Sequence, residues 1–584
     1  MSQQYTRRDD AHARPTAHAP RPTSHAPAFT AWLDDFFAAH YRRRPVDATF
    51  IGVHDYDDRL PDFSEAGAGD TLAELADLER RLAALPPEPL APAEALDWRL
   101  AAGCLAIRRW ECDAPHSHRG NPCLYTGEAI FGAIALFLRP FAPLAERVEA
   151  AVARLYAVPA LLAQGERNVR AAPPAWTERA LDECDGALAF LRGGVAILCR
   201  DEGIADPRLP AAAGVAAAAF AEFRHYLATD LRAHPVANYA CGEAALDLLL
   251  RRGHFLDQDA ATIVNYAREQ FAAARADLAA HARDFGGRTW PEALALLADY
   301  HPPAERYYAR FGEVWDAARA AAEEHDLLTW PDFPLRYVPQ PAWAREAAPH
   351  LYFLPYRSPA PFDRLPVTEY LVPPLDPDLP PAERERRLRA VNDSVIKLNH
   401  VVHHGGIGHH VQNWYASRAA SRIGRVAATD CAARTAFLCG GTMAEGWACY
   451  ATDLMDEIGF TTPLERYAQR HARLRMAARA IADVGLHTGT MDLAAATALY
   501  RDEVGMAPAA AHAEAVKNSL FPGAALMYLV GADLIHDLRR AIAAREGAAF
   551  SLRRFHDRFL AHGSVPVALI RETMLATGDV ERGV

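Results

Sequence analysis

Lysine is almost missing from this chain: Lys397 and Lys517 are the only two, and arginine supplies the other fixed positive charges. Acidic residues outnumber basic ones, leaving a net charge of −12, and no basic run offsets that balance. Binding a phosphate backbone needs clustered cations, so no nucleic-acid partner is expected. Also missing is any apolar stretch near the roughly 20 residues that span a bilayer, so no membrane partner is expected either. The nine cysteines are odd in number and contain no CxxC pair. That pattern fits reduced thiols in a cytoplasmic protein better than a disulfide framework. Residues 1–28 are rich in Pro, His, Arg and Ala and lack the apolar segment of a secretory signal, so they read as a disordered tail. No internal repeat and no alternating strand–helix pattern is present.

What is present is a long, mostly helical pattern. Hydrophobic residues at 51% and charged residues at 23% are ordinary for a globular chain, and 584 residues suffice for a large core. Segments such as 144–169, 211–231 and 260–285 carry apolar residues at three- and four-residue spacing among Ala, Leu, Glu and Arg. The stretch 330–381 breaks this pattern with prolines and aromatics, among them Tyr352 and Tyr356, and with a β-like run at 368–372. Helical spacing then resumes to the end. The expected fold is mainly α, with a minor β element around residues 350–375. Its expected parts are an N-terminal helical lobe over 29–335, a Pro/aromatic-rich connecting segment over 336–392, and a C-terminal helical lobe over 393–584, all within one interlocked body.

The chemistry concentrates at residues 399–412. Five histidines fall within eleven residues there: His400, His403, His404, His409 and His410. Imidazole is a common ligand for zinc and its neighbours. His400 and His404 have the four-residue spacing of ligands on one α-helical face. His403 and His409 are six apart, which requires a bend that Gly405, Gly406 and Gly408 can supply. A second helical run carries Glu445-Gly446-Trp447-Ala448, and a carboxylate from a neighbouring helix often completes a histidine site. Arg479, Asp483 and His487 fall at four-residue steps on one further helix face.

These motifs resemble the bacterial domain-of-unknown-function-885 family, which is related to helical zinc peptidases, over about 29–570. The family's HE-x-x-PGHH-x-Q motif is matched by His403, Gly408, His409, His410 and Gln412, and its EGWA-x-YAE motif by Glu445, Gly446, Trp447, Ala448, Tyr450 and Ala451. Arg479-x3-Asp483-x-Gly485-x-His487 is similar to its R-x3-D-x-G-x-H signature. Pro522-Gly523, Tyr528 and Gly531 are similar to its PGQA-x2-Y-x2-G signature. The resemblance implies a helical zinc-peptidase-like fold, with His403, His409 and Glu445 holding one divalent metal. Zinc is the first choice, and iron, manganese or cobalt are alternatives.

Several positions depart from the family. The general-base Glu is His404 here, the last Glu of the second motif is Thr452, the Gln of PGQA is Ala524, and Lys517-Asn518 replaces an Arg-Tyr pair. His404 is therefore expected to act as base or as an extra ligand. Tyr528 and His487 are the candidates to stabilise an oxyanion, and Arg479 and His410 to contact substrate. The expected function is a metal-dependent enzyme on a peptidase-like scaffold, acting on a peptide, amide or small amino-acid-derived substrate. The alternative is a binding protein that kept the pocket and lost hydrolysis. Oligomeric state is not readable from the chain.

Overall fold

The computed structural model describes residues 26–576 apart from 86, 88, 89 and 433. The expected tail over 1–25 lies outside the described residues. The first helix, α1 (Ala26–Arg43), already includes positions 26–28, which the sequence assigned to that tail. The reason is packing: Phe29 is fully buried, and its ring stacks on Trp32, which stacks on Phe36.

The fold is mainly α, as the periodicity predicts. Among the described residues its strands are two short ones, β1 (Leu335–Pro339) and β2 (Thr368–Val372), paired in parallel with Leu335 opposite Thr368. The run at 368–372 is a strand as expected. Its partner lies earlier than the expected region around 350–375, because the aromatic stretch between them forms turns around buried Leu351 and Tyr356.

Six further helices position the site: α2 (Ala260–His281), α3 (His409–Ala416), α4 (Gly441–Glu457), α5 (Pro463–Thr488), α6 (Pro508–Leu520) and α7 (Met527–Glu546). Helix α5 shows how the sequence sets its limits. Thr462 and Glu465 form a reciprocal capping box, Pro463 occupies the first turn, and Gly489 closes the far end at φ 74°. Among the described residues, two large apolar clusters and one small one build the interior. The first large cluster runs from Phe29 to Met574, so it joins the two ends of the described chain. The other joins Leu246, Ile263 and Leu278 to Leu474, Ile481 and Leu529. Helix α2 packs along α5 in this second cluster, so the packing crosses the lobe boundary placed at residue 335. Among the described residues no helix is long and apolar enough to cross a membrane.

Candidate metal centre

His400, His403 and His404 lie on a π-helical segment, Val395–Gly405, and not on an ordinary α-helix. Its wider turn changes which side chains share a face, so the four-residue spacing of His400 and His404 does not make them a ligand pair. His400 turns to the small sheet instead: its Nδ1 is 2.5 Å from the Tyr370 hydroxyl, and its carbonyl accepts from Tyr337. The segment ends at Gly405, whose carbonyl accepts from Trp315 Nε1 at 2.6 Å. The chain then folds sharply back. At Gly408 a Cβ would overlap the carbonyl oxygen of His403, so only glycine permits the reversal that starts α3 at His409. The rings of His403 and His409 thereby meet nearly perpendicular, with centroids 4.9 Å apart. This is the bend the six-residue spacing requires.

Glu445 arrives from α4. Trp447, two residues along, donates from Nε1 to the Ile407 carbonyl at 2.8 Å and fixes the helix to the glycine loop. Glu445 Oε2 stands 3.5 Å from His403 Nε2 and 3.6 Å from His409 Nε2. These contacts are too long for good hydrogen bonds, and this buried oxygen has no hydrogen-bond partner. The other oxygen, Oε1, accepts from the Tyr528 hydroxyl at 3.0 Å. Burial works against the carboxylate charge, yet the facing His403 and His409 rings outweigh it and hold Glu445 well below the usual range.

The donor set passes a test for a divalent ion. Metal–ligand distances of about 2.0–2.2 Å in a tetrahedral array put neighbouring ligand atoms about 3.3–3.6 Å apart. The two measured separations to Oε2 match that spacing. The orphaned oxygen also has the partner it lacks if a cation sits between it and the two imidazoles.

His404 belongs to the same cluster. Ligand atoms of His403, His404 and His409 lie within 4.8 Å of one another. The Nδ1 of His404 donates to the Asn399 carbonyl at 2.7 Å, leaving Nε2 with its lone pair. Burial, and then the neighbouring His403 and His409 rings, hold it well below its ordinary pKa and therefore neutral. His403 and His409 are thus shared by two triads, one completed by Glu445 and the other by His404.

Tyr528 is held in place by its surroundings. Asp483 accepts from the backbone N–H groups of Gly523, Ala525 and Leu526 at 2.8–2.9 Å, fixing the turn that leads into α7. Helices α4 and α7 then cross closely enough for Tyr528 to reach Glu445. A Cβ on Gly446 would sit 2.6 Å from Gly531 Cα, so the crossing needs the hydrogen in place of a side chain. Arg479 lies over the Tyr528 ring at 4.3 Å and pairs with Glu514 at 2.6 Å.

Two expected site residues are not at the site. His487 is fully buried and bonds to the Asn518 carbonyl at 2.9 Å, so it ties α5 to α6 and does not face the cavity. His410 is also fully buried, stacked on Phe333 and bonded to its carbonyl at 2.7 Å, so it cannot contact substrate. Adjacent residues on α3 point apart, and His409 takes the inward direction.

His403, His404, His409, Glu445, Arg479 and Tyr528 all line one cavity of about 890 Å³, a size suited to a small-molecule or short-peptide ligand. Its wall draws on both large apolar clusters, with Tyr352 and Tyr356 on one side and Trp290 and Met476 on the other. Tyr352, Leu354 and Tyr356 of the aromatic stretch line this cleft. Residues that sequence reasoning missed are Asp430 and Arg475, which carry no motif signal of their own.

The family model described as "Bacterial protein of unknown function (DUF885)" matches residues 45–574. The chain belongs to this family. Among the solved structures similar to it are two "putative lipoproteins". The first, of unknown function and from Shewanella oneidensis, is 23% identical with a TM-score of 0.74, over 94% of this chain and 99% of that one. The second, from Colwellia psychrerythraea, is 16% identical with a TM-score of 0.76, over 95% of this chain and 99% of that one. At these identities the likeness concerns the fold alone. None of the curated proteins matches.

Proposed function

We propose that this family member is a metal-dependent enzyme that acts on a peptide, amide or small amino-acid-derived substrate. The observation that carries the reading is the buried Glu445 Oε2, which lacks a hydrogen-bond partner and faces the Nε2 atoms of His403 and His409 at 3.5 and 3.6 Å. His403, His409 and Glu445 would hold the ion, zinc first, with His404 as a fourth donor. A fourth donor also suits iron, manganese or cobalt. A bound divalent cation supplies Lewis-acid polarisation of a substrate carbonyl. The chain's own residues supply the rest. Tyr528 orients Glu445 through Oε1, and its hydroxyl, at the cavity wall, can turn to a developing oxyanion. His404, neutral with Nε2 free, can accept a proton when it does not ligate.

Elemental analysis tests this reading. Wild type is expected to hold one metal per chain, and His403→Ala and Glu445→Ala to hold far less. A wild type that stays metal-free after exposure to zinc, manganese and iron leaves a binding protein in its place. A peptidase assay on wild type and His404→Glu then separates the chemistries, since cleavage by the variant alone means the natural residue serves another reaction.

The nine cysteines are free thiols, which favours a reducing compartment and hence the cytoplasm. The name lipoprotein carried by the two similar structures favours the cell envelope. Cell fractionation decides between the two.

A further inference from the structure

Beside the metal centre, the cavity carries more positive charge than its surroundings neutralise. Arg475, Arg479 and Lys517 all line it. Helix α5 presents Arg475 and Arg479 one turn apart, and α6 presents Lys517. One carboxylate serves the group, Glu514, and it is bound by Arg479. Burial opposes the Glu514 charge, but Arg479, Lys517 and Arg475 together hold its pKa at about 2. Neither Arg475 nor Lys517 makes a hydrogen bond or ion pair among the described residues.

The other charged residues of the cavity are committed elsewhere. Arg357 donates to the Cys431 carbonyl and lies over the Phe50 and Phe131 rings. Arg434 pairs with Glu111, and Asp430 accepts from the backbone and hydroxyl of Ser358. Two free cations on one wall are unusual in a chain of net charge −12 that has only two lysines. The other lysine, Lys397, is paired with Glu465 at 2.7 Å. Arg475 is accessible to solvent within the cavity, although burial and the like charge of Arg479 pull it below the usual guanidinium range. An incoming anion would relieve that repulsion.

We propose that Arg475 and Lys517 bind a carboxylate of the substrate, so that the substrate is an acid whose charged end rests between α5 and α6 while its reacting carbonyl faces His403, His409 and Glu445. A planar guanidinium and a mobile ammonium together suit a carboxylate, one by paired hydrogen bonds and the other as a point charge. The reacting end rests on the proposed metal-dependent function, whereas the anion site does not.

Equilibrium dialysis of the full chain against three pentapeptide pools tests the site. The first two contain neutral residues only and end in a carboxylate or a carboxamide. The third is amidated and carries one glutamate per peptide. The free-acid pool is expected to be retained about tenfold more tightly than the neutral amidated pool, which corresponds to about 1.4 kcal/mol. That preference should shrink to about twofold or less in Arg475→Gln and in Lys517→Gln, and Arg475→Lys should keep most of it. Retention of the glutamate pool at the free-acid level means that the site takes a carboxylate from either position, and retention at the neutral level assigns the C-terminal one. All three pools retained alike, at any level including none, would overturn the proposal, as would a preference that survives intact in both glutamine variants. Metal content measured on the same samples keeps the two readings apart. A chain that discriminates without metal loses the enzyme reading only, and a metal-loaded chain that does not discriminate loses the anion site only.

Discussion

Glu445 divides its two oxygens between two tasks, and Tyr528 decides which oxygen does which. Its hydroxyl donates to Oε1, so Oε2 is presented to His403 and His409. If Glu445 holds the ion as proposed, a partner of this kind typically controls metal affinity by 10- to 100-fold. Tyr528→Phe should therefore weaken metal binding by about tenfold while leaving the folded structure intact, as read by competition with a chelator. Unchanged affinity would reduce Tyr528 to a cavity-wall residue. At this scale the sequence was partly legible. His403, His409 and Glu445, which the structure brings together, stand out because the histidines are crowded and a carboxylate follows on another helix. His410 and His487 matched the same family motifs but serve as buried struts. Nothing in a motif tells an inward-facing imidazole from one whose ring nitrogen is taken by a backbone carbonyl such as that of Phe333 or Asn518.

Among the elements, two backbone devices build the site. The π-helical segment and the reversal at Gly408 bring His403 and His404 to His409. The close crossing of α4 and α7 brings Tyr528 to Glu445. The glycines of the first device were legible, because a six-residue spacing between proposed ligands demands a bend. The π-helical turn was not, since no local pattern of Val, Leu, Asn and His distinguishes it from an α-helix. It is fixed by tertiary contacts from Tyr337, Tyr370 and Trp315. The crossing makes a prediction. In Gly446→Ala the new methyl meets the backbone of Gly531, which has nowhere to retreat, so α4 and α7 must part. Overpacking of this sort costs about 1–3 kcal/mol. The variant should unfold at a lower temperature and also bind metal more weakly, since parting the helices draws Tyr528 from Glu445. Lost stability with metal affinity unchanged would show that the crossing does not position the site.

Over the whole molecule, what joins distant segments is a set of polar clamps as well as the shared apolar cores, and the part-buried clamp at His54 is one whose effect pH can switch. His54 Nδ1 is 2.7 Å from Asp57, and its Nε2 is 2.8 Å from Asp363, a residue 309 positions away. Such a pairing leaves no trace in local sequence, which is why the helices of this fold were legible and their mutual arrangement was not. The ring also stacks on Phe141 at 3.9 Å, and Arg139 binds Asp363 from the other side. Burial works against a charge on His54, but Asp363 and Asp57 outweigh it and raise the imidazole to about 9. A folded-state value above the unfolded one of about 6.5 means that protonation stabilises the fold. That contribution is complete below about pH 6.5 and is lost as pH rises through about 9. The shift alone would amount to about 3 kcal/mol, but His54 is partly exposed and solvent screening reduces this to about 1 kcal/mol. Comparing thermal unfolding of wild type and His54→Gln across pH isolates the effect. Wild type should be the more stable at pH 6, and the gap should close toward pH 9.5, because by then the imidazole is neutral and a glutamine replaces it without loss of charge. A gap of constant size from pH 6 to 9.5 would mean that His54 holds Asp363 by shape and ring stacking, with no charge involved.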